Sequence, residues 1–176
     1  MERVPYAKST QLSELMRQSG LRDGAPISNA FRMFAHAPTV GAAALRLVLA
    51  LLTGTTLDPK LRELIIPRVS QRCTGEYAWV QHAAIAKTVC VIDVQIAALE
   101  RGEIPLDVFN VRERITFVFA DEVVDQAFAT EDTFAGMCRM LSPREMLELL
   151  LLIGYFRMIC GVMTTMGVEV VRIPMM

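Results

Sequence analysis

Apolar and polar positions alternate with a helical period through most of this chain. Leu61, Leu64, Ile65 and Val69 recur at three- and four-residue steps, the spacing of one helix face. Asp58 and Pro59 stand at the head of that stretch. An aspartate caps a first turn with its carboxylate, and a proline fits there because its missing N–H would have had no partner. Pro67 cannot donate to the carbonyl of Glu63, so a bend is expected beside that glutamate. A break follows at Arg72-Cys73-Thr74-Gly75, with Thr74 as the expected cap. A second helix then carries Glu76, Tyr77, Trp79 and His82.

The same reasoning predicts helices over 9–18, from Ser28 to just before Pro38, and over 39–52, 90–101, 111–128 and 130–140. The longest starts at Ser142-Pro143. Residues 39–52 carry Arg46 as their only charge, and an element apolar nearly all round is normally buried. Asp121, Glu122 and Asp125 sit late in their helix, against the macrodipole preference, so they should have partners or face solvent. The tail, 168–176, reads as a short strand or an extended arm. The expected fold class is all-α. Residues 1–27 form a polar arm over the surface or on a neighbouring subunit, and 28–176 form one helical domain. Leu57-Asp58-Pro59 is echoed by Leu141-Ser142-Pro143, which suits either two similar helical units or chance.

Composition narrows the function classes. The chain has 176 residues, enough for one domain with a real core. Hydrophobic residues make up 53%, so some apolar surface should be hidden in a partner, and a homo-oligomer is expected. A net charge of −1 gives no reason to expect nucleic acid or an anionic membrane. The apolar run 147–160 contains Glu148 and Arg157, which marks a buried helix rather than a membrane span. The first residues lack an apolar core of signal-peptide length, and a cytoplasmic location is expected. Four cysteines with no close pair, and two histidines, leave zinc and disulfide readings poor.

Each candidate site residue has a plain reading and a chemical one. Glu63 is a surface carboxylate paired with Lys60 or Arg68, or an acid–base group desolvated by Ile66 and Pro67. His82 is a satisfied histidine in an alanine-rich helix, or a proton carrier. Tyr77 and Trp79 are core or pocket wall, and a tyrosine hydroxyl can orient a carboxylate or enolate oxygen. Cys73 is a small buried group, or a reactive thiol near a helix end. Arg68 contacts an anion or solvates a face. His36 ends a helix or lines a pocket.

The LDPKLRELI opening, the Y-x-W-x-x-H ending and the 19-residue step from Glu63 to His82 resemble the carboxymuconolactone decarboxylase family, which includes the AhpD-like alkylhydroperoxidases. The F-R-x-x-A-H-x-P segment from Phe31 to Pro38 is similar as well. The resemblance implies an AhpD-like helical bundle, a homo-oligomer, a small-molecule substrate and no cofactor or metal. It implies Glu63 and His82 as a catalytic proton shuttle, with Tyr77, Trp79, Arg68, Cys73 and His36 around the substrate. The peroxidase branch has a C-x-x-C between its Glu and His, and those two positions fall on Gly75 and Ala78. The proton pair is kept and the redox pair is lost, so no dithiol peroxidase turnover is expected. The E-x-x-x-H form of the decarboxylase subgroup is also absent, because Ala78 stands four residues before His82. The function implied is a cofactor-free lyase or isomerase acting on a small carboxylate- or carbonyl-bearing molecule. The alternatives are an alkylhydroperoxidase-like antioxidant enzyme and a non-catalytic oligomeric small-molecule-binding protein.

Overall fold

The computed structural model describes residues 3–21 and 27–170 and is all-α, with no strand among them. The helices are α1 (Ser9–Ser19), α2 (Asn29–Phe34), α3 (Pro38–Thr53), α4 (Pro59–Arg72), α5 (Glu76–Ala86), α6 (Asp93–Glu100), α7 (Val111–Gln126), α8 (Glu131–Cys138) and α9 (Pro143–Met166). A 3₁₀ turn, Lys87–Val89, follows α5. Residues 22–26 and 171–176, which include most of the β-branched tail, lie outside the described residues.

Local chemistry starts these helices. Asp58 accepts from the Leu61 N–H at 2.8 Å, Thr130 from Thr133, and Ser142 from Glu145, each satisfying an orphan donor of a first turn. Asn110 and Glu113 bond reciprocally at the head of α7, at 2.9 Å in both directions. Thr74 is not the cap expected of it. Its hydroxyl turns back to the Cys73 carbonyl, its φ is +50°, and Gly75 takes the N-cap position of α5.

Helix α4 is the centre of the bundle. Every residue from Glu63 to Ser70 is buried, and the helix runs unbroken through Pro67. It packs against α5, α7 and α9, whose Phe117, Phe119, Leu149, Leu152, Ile153 and Phe156 fill the core with it. Polar groups on a helix buried all round must find partners inside the protein, because leaving one unpaired costs about 1–3 kcal/mol. Glu63, Arg68 and Ser70 all do so. That requirement shapes the site.

One expectation changes. Helix α3 is not enclosed: Val40, Leu47 and Leu49 are exposed, with Val40 at 71%. The described part of the N-terminal arm, residues 3–21, lies on its own chain, one of the two placements expected. Leu15 of α1 is fully buried in a small second core with Ala35, Ala42 and Leu45, and Ala7 donates to the Arg32 carbonyl. The late acids of α7 are paired: Asp121 with Arg68 and Arg72, Asp125 with Arg72, and Glu122 with Thr130 and Thr133. Helix α9, at 24 residues, is long and apolar enough to cross a bilayer by length and composition. Half of its most apolar window is buried inside the protein, which is the behaviour of a core helix.

Candidate active site

Helices α4 and α5 are joined by a short turn and pack closely, which brings Glu63 of one against His82 of the other. His82 Nδ1 lies 2.9 Å from Glu63 Oε2. Glu63 is 1% exposed and His82 7%. The second carboxylate oxygen, Oε1, accepts from Arg62 Nε at 3.2 Å. A buried carboxylate needs such partners, since its charge is otherwise uncompensated. The His82 ring meets Phe156 of α9 edge-on, with centroids 4.8 Å apart. Ring orientation is therefore set from two sides. With Nδ1 spent on Glu63, the remaining ring nitrogen for chemistry is Nε2.

His82 borders a cavity of about 220 Å³ between α2, α3, α5 and α9, while Glu63 stands behind it. Most of the lining is apolar, including Phe31, Phe34, Leu45, Val48, Phe156 and Ile159. The polar groups on it are few: His82, Gln81, Ser28, Tyr77 and Tyr155. Tyr77 accepts a hydrogen bond from the Ala30 N–H at 3.4 Å through its hydroxyl oxygen, which ties α5 to the start of α2. Tyr155 is buried, and burial holds its hydroxyl pKa above the ordinary tyrosine value. It remains a protonated donor throughout the neutral range. Arg62, Tyr155 and Phe156 are absent from the sequence-based candidates. The only advance signal for Tyr155 and Phe156 is an apolar period that points a face of α9 inward, and for Arg62 it is its place beside Glu63 in α4.

The other candidates scatter. Trp79 is half-buried and borders a separate open depression with Gln71, Glu76 and Glu100. At about 100° per residue, Tyr77, Ala78 and Gln81 fall on one side of His82 and Trp79 on the other, so sharing a helix does not put Trp79 on this cavity. Arg68 is buried and spent. Its Nε and Nη2 reach Asp121 at 2.9 and 2.6 Å, and its Nη1 reaches the Gly102 carbonyl at 2.9 Å. Three of its five N–H donors are engaged there, and Arg68 does not line the cavity on which His82 stands. His36 is exposed, bonds the Pro5 carbonyl at 2.8 Å through Nε2, and borders a different apolar groove between α3 and α9.

Cys73 does not line the cavity on which His82 stands. It follows the last residue of α4, half-buried, and the Cys160 thiol of α9 holds its pKa below the ordinary thiol value, at about 7. The two are far apart in sequence, so spacing could not reveal them.

Residues 38–110, which include Glu63 and His82, match the model of the carboxymuconolactone decarboxylase family. No curated protein matches the chain. Several solved structures share its fold. An alkylhydroperoxidase AhpD core protein from Ralstonia eutropha JMP134, an uncharacterized peroxidase-related protein, is similar at a TM-score of 0.77 and 18% identity, over 99% of this chain and 98% of that one. An uncharacterized peroxidase-related protein from Silicibacter sp. TM1040 has a TM-score of 0.71 at 21% identity, over 94% of this chain and 86% of its own. The debrominase Bmp8 in its apo form has a TM-score of 0.75 at 16% identity, over 96% of this chain and 92% of its own.

Proposed function

We propose, from the match of residues 38–110 to the carboxymuconolactone decarboxylase family model and from the AhpD-like helical fold, a cofactor-free lyase or isomerase that moves a proton on a small carboxylate- or carbonyl-bearing substrate. The observation that carries this reading is the buried His82–Glu63 pair at the edge of an apolar cavity. His82 Nε2 takes a proton from a carbon beside the carbonyl, and Glu63 holds the ring and stabilises the imidazolium that results. Glu63 thus acts through His82 rather than on the substrate. The cavity is smaller than the roughly 300–1,000 Å³ of drug-sized sites, so the substrate is small. A debrominase of the same fold has been captured with 2,3,4-tribromopyrrole, a ring of that modest size.

The test is proton exchange. Incubating the protein in D₂O with a panel of small keto acids, lactone acids and 1,3-dicarbonyls should label one of them at the acidic carbon, followed by proton NMR. If no member exchanges faster than the buffer rate, the acid–base reading fails.

Tyr155 supplies the second role. A neutral buried hydroxyl on the same cavity is suited to donate to the oxyanion that forms as the proton leaves. Tyr155→Phe should lower kcat by about 10- to 100-fold and leave KM nearly unchanged, because the bond strengthens as charge develops. A change confined to KM would remove Tyr155 from this role.

The same reading includes a homo-oligomer. Val40, Leu47 and Leu49 of α3 and Leu147, Leu151 and Met158 of α9 are exposed. A largely apolar groove of about 610 Å³ runs between these helices. Surfaces of that kind are normally covered. Light scattering at micromolar concentration should give a mass of at least twice the 19.6 kDa chain. A clean monomer would rule the interface out.

A further inference from the structure

The walls of the His82 cavity carry no fixed charge. Among the described residues its lining contains no aspartate, glutamate, lysine or arginine. The cations on the helices that build those walls are all turned elsewhere. On α2, Arg32 lies over the Tyr6 ring, 4.3 Å from its centroid. On α3, Arg46 donates to the Gln18 carbonyl at 2.6 Å. Helix α5 has no lysine or arginine. On α9, Arg144 donates to Glu148 at 2.9 Å, and Arg157 borders the separate groove between α3 and α9. Arg62 of α4 bonds Glu63 at 3.2 Å, behind the imidazole, and is not part of the lining.

A carboxylate entering such a space gives up its water and meets no fixed cation. Burying an ion without a partner is strongly unfavourable, and the two oxygens together seek several donors. His82 offers no standing charge either, because an imidazole that accepts a proton starts neutral. A ketone or amide carbonyl has no charge to compensate, and one or two neutral donors satisfy it. The cavity has such donors. Tyr155 presents a buried hydroxyl, and Tyr77, whose oxygen accepts from the Ala30 N–H, keeps its own proton to give. Phe31, Phe34, Leu45 and Ile159 suit the hydrocarbon part of the same molecule.

We propose that the cavity takes an uncharged carbonyl compound and rejects a carboxylate of the same shape. The preference rests on the proton-transfer role of His82 and narrows it. His82 Nε2 takes the proton from the carbon beside the carbonyl. The C–H electron pair moves into the enolate, and its negative charge gathers on the oxygen that Tyr155 holds. Charge thus develops only after the compound is enclosed, when the proton now on His82 balances it. The imidazolium then returns its proton to the same carbon or to another atom of the enolate, so no group is gained or lost. A substrate without a carboxylate has no carbon dioxide to release, which points to isomerisation rather than decarboxylation. An acid can enter by first taking up a proton, but at neutral pH only roughly a thousandth of an ordinary carboxyl group is protonated.

The test uses the unmodified full-length protein at neutral pH with two pairs of probes matched in shape. Pinacolone and pivalate differ by a methyl ketone against a carboxylate, and acetoacetamide and acetoacetate by an amide against a carboxylate. Methyl-labelled NMR follows binding of the first pair at the Leu45, Val48 and Ile159 side chains that line the cavity. Pinacolone should shift these signals with a Kd at least about a hundred-fold below that of pivalate, within the limit set by the protonated fraction of the acid. Deuterium exchange of the second pair, each measured over its own buffer rate, should favour acetoacetamide by a similar factor. Pivalate binding within about ten-fold of pinacolone, or binding of neither, overturns the charge preference. Exchange of acetoacetate as fast as that of acetoacetamide also overturns it, while leaving His82 as the proton carrier. No exchange of either, with pinacolone bound and pivalate excluded, removes the proton-transfer role and keeps the preference for an uncharged ligand.

Discussion

Replacing His82 with glutamine lowers turnover on the exchanging substrate by at least about a hundred-fold, the scale of a lost general acid–base group. Glutamine still offers an N–H toward Glu63 but has no group that cycles a proton near neutral pH. Glu63→Gln should lower kcat by a similar order. It preserves shape while removing the charge that stabilises the imidazolium, 2.9 Å away. His82→Ala is a poorer probe, because it leaves a carboxylate that is 1% exposed with Arg62 as its remaining partner. Breaking a buried pair in that way costs about 3–5 kcal/mol, so lost activity would mix with lost protein. The measurement is kcat for each glutamine variant beside its unfolding midpoint. Full activity in both folded variants would end the proposed mechanism.

Arg68→Ala should destabilise the protein by about 3 kcal/mol, the lower end of the range for breaking a buried ion pair. Three donors of that guanidinium are engaged: two on Asp121 and one on the Gly102 carbonyl. Its removal leaves Asp121 only a distant partner, Arg72 at 3.9 Å, and the Gly102 carbonyl without this donor. Arg68→Lys keeps the charge but not the paired geometry, and should fall between the two. Urea unfolding followed by far-UV circular dichroism reads the change from the midpoint. A shift below about 0.5 kcal/mol would mean that the pair contributes no more than a surface bridge. KM of the folded fraction should not move, since Arg68 faces α7 and not the cavity.

Much of the fold was legible because it depends on near neighbours. Asp58, Thr130 and Ser142 start helices through hydrogen bonds reaching three residues along the chain, and such bonds can be read as a pattern. The helical period of Leu61, Leu64, Ile65 and Val69 likewise marks an inward face without reference to any other segment. The step from Glu63 to His82 spans a helix, a short turn and a helix, so proximity of the two groups was a reasonable expectation from local geometry. The sequence by itself thus determined the fold class, the helix starts and the pair of residues on which the proposed chemistry rests. Tertiary structure decided what each group touches. Whether Trp79 or Tyr77 borders the cavity depends on the rotation of α5 against α2, α3 and α9. Arg68 is spent on Asp121 because α7 crosses α4 at that level. Tyr155 shares the cavity with His82, and Cys160 lies against Gly75, because of where α9 lies. Contacts between distant helices are fixed by packing angle and rotation, and these follow from filling the whole core at once. No short window of residues encodes them.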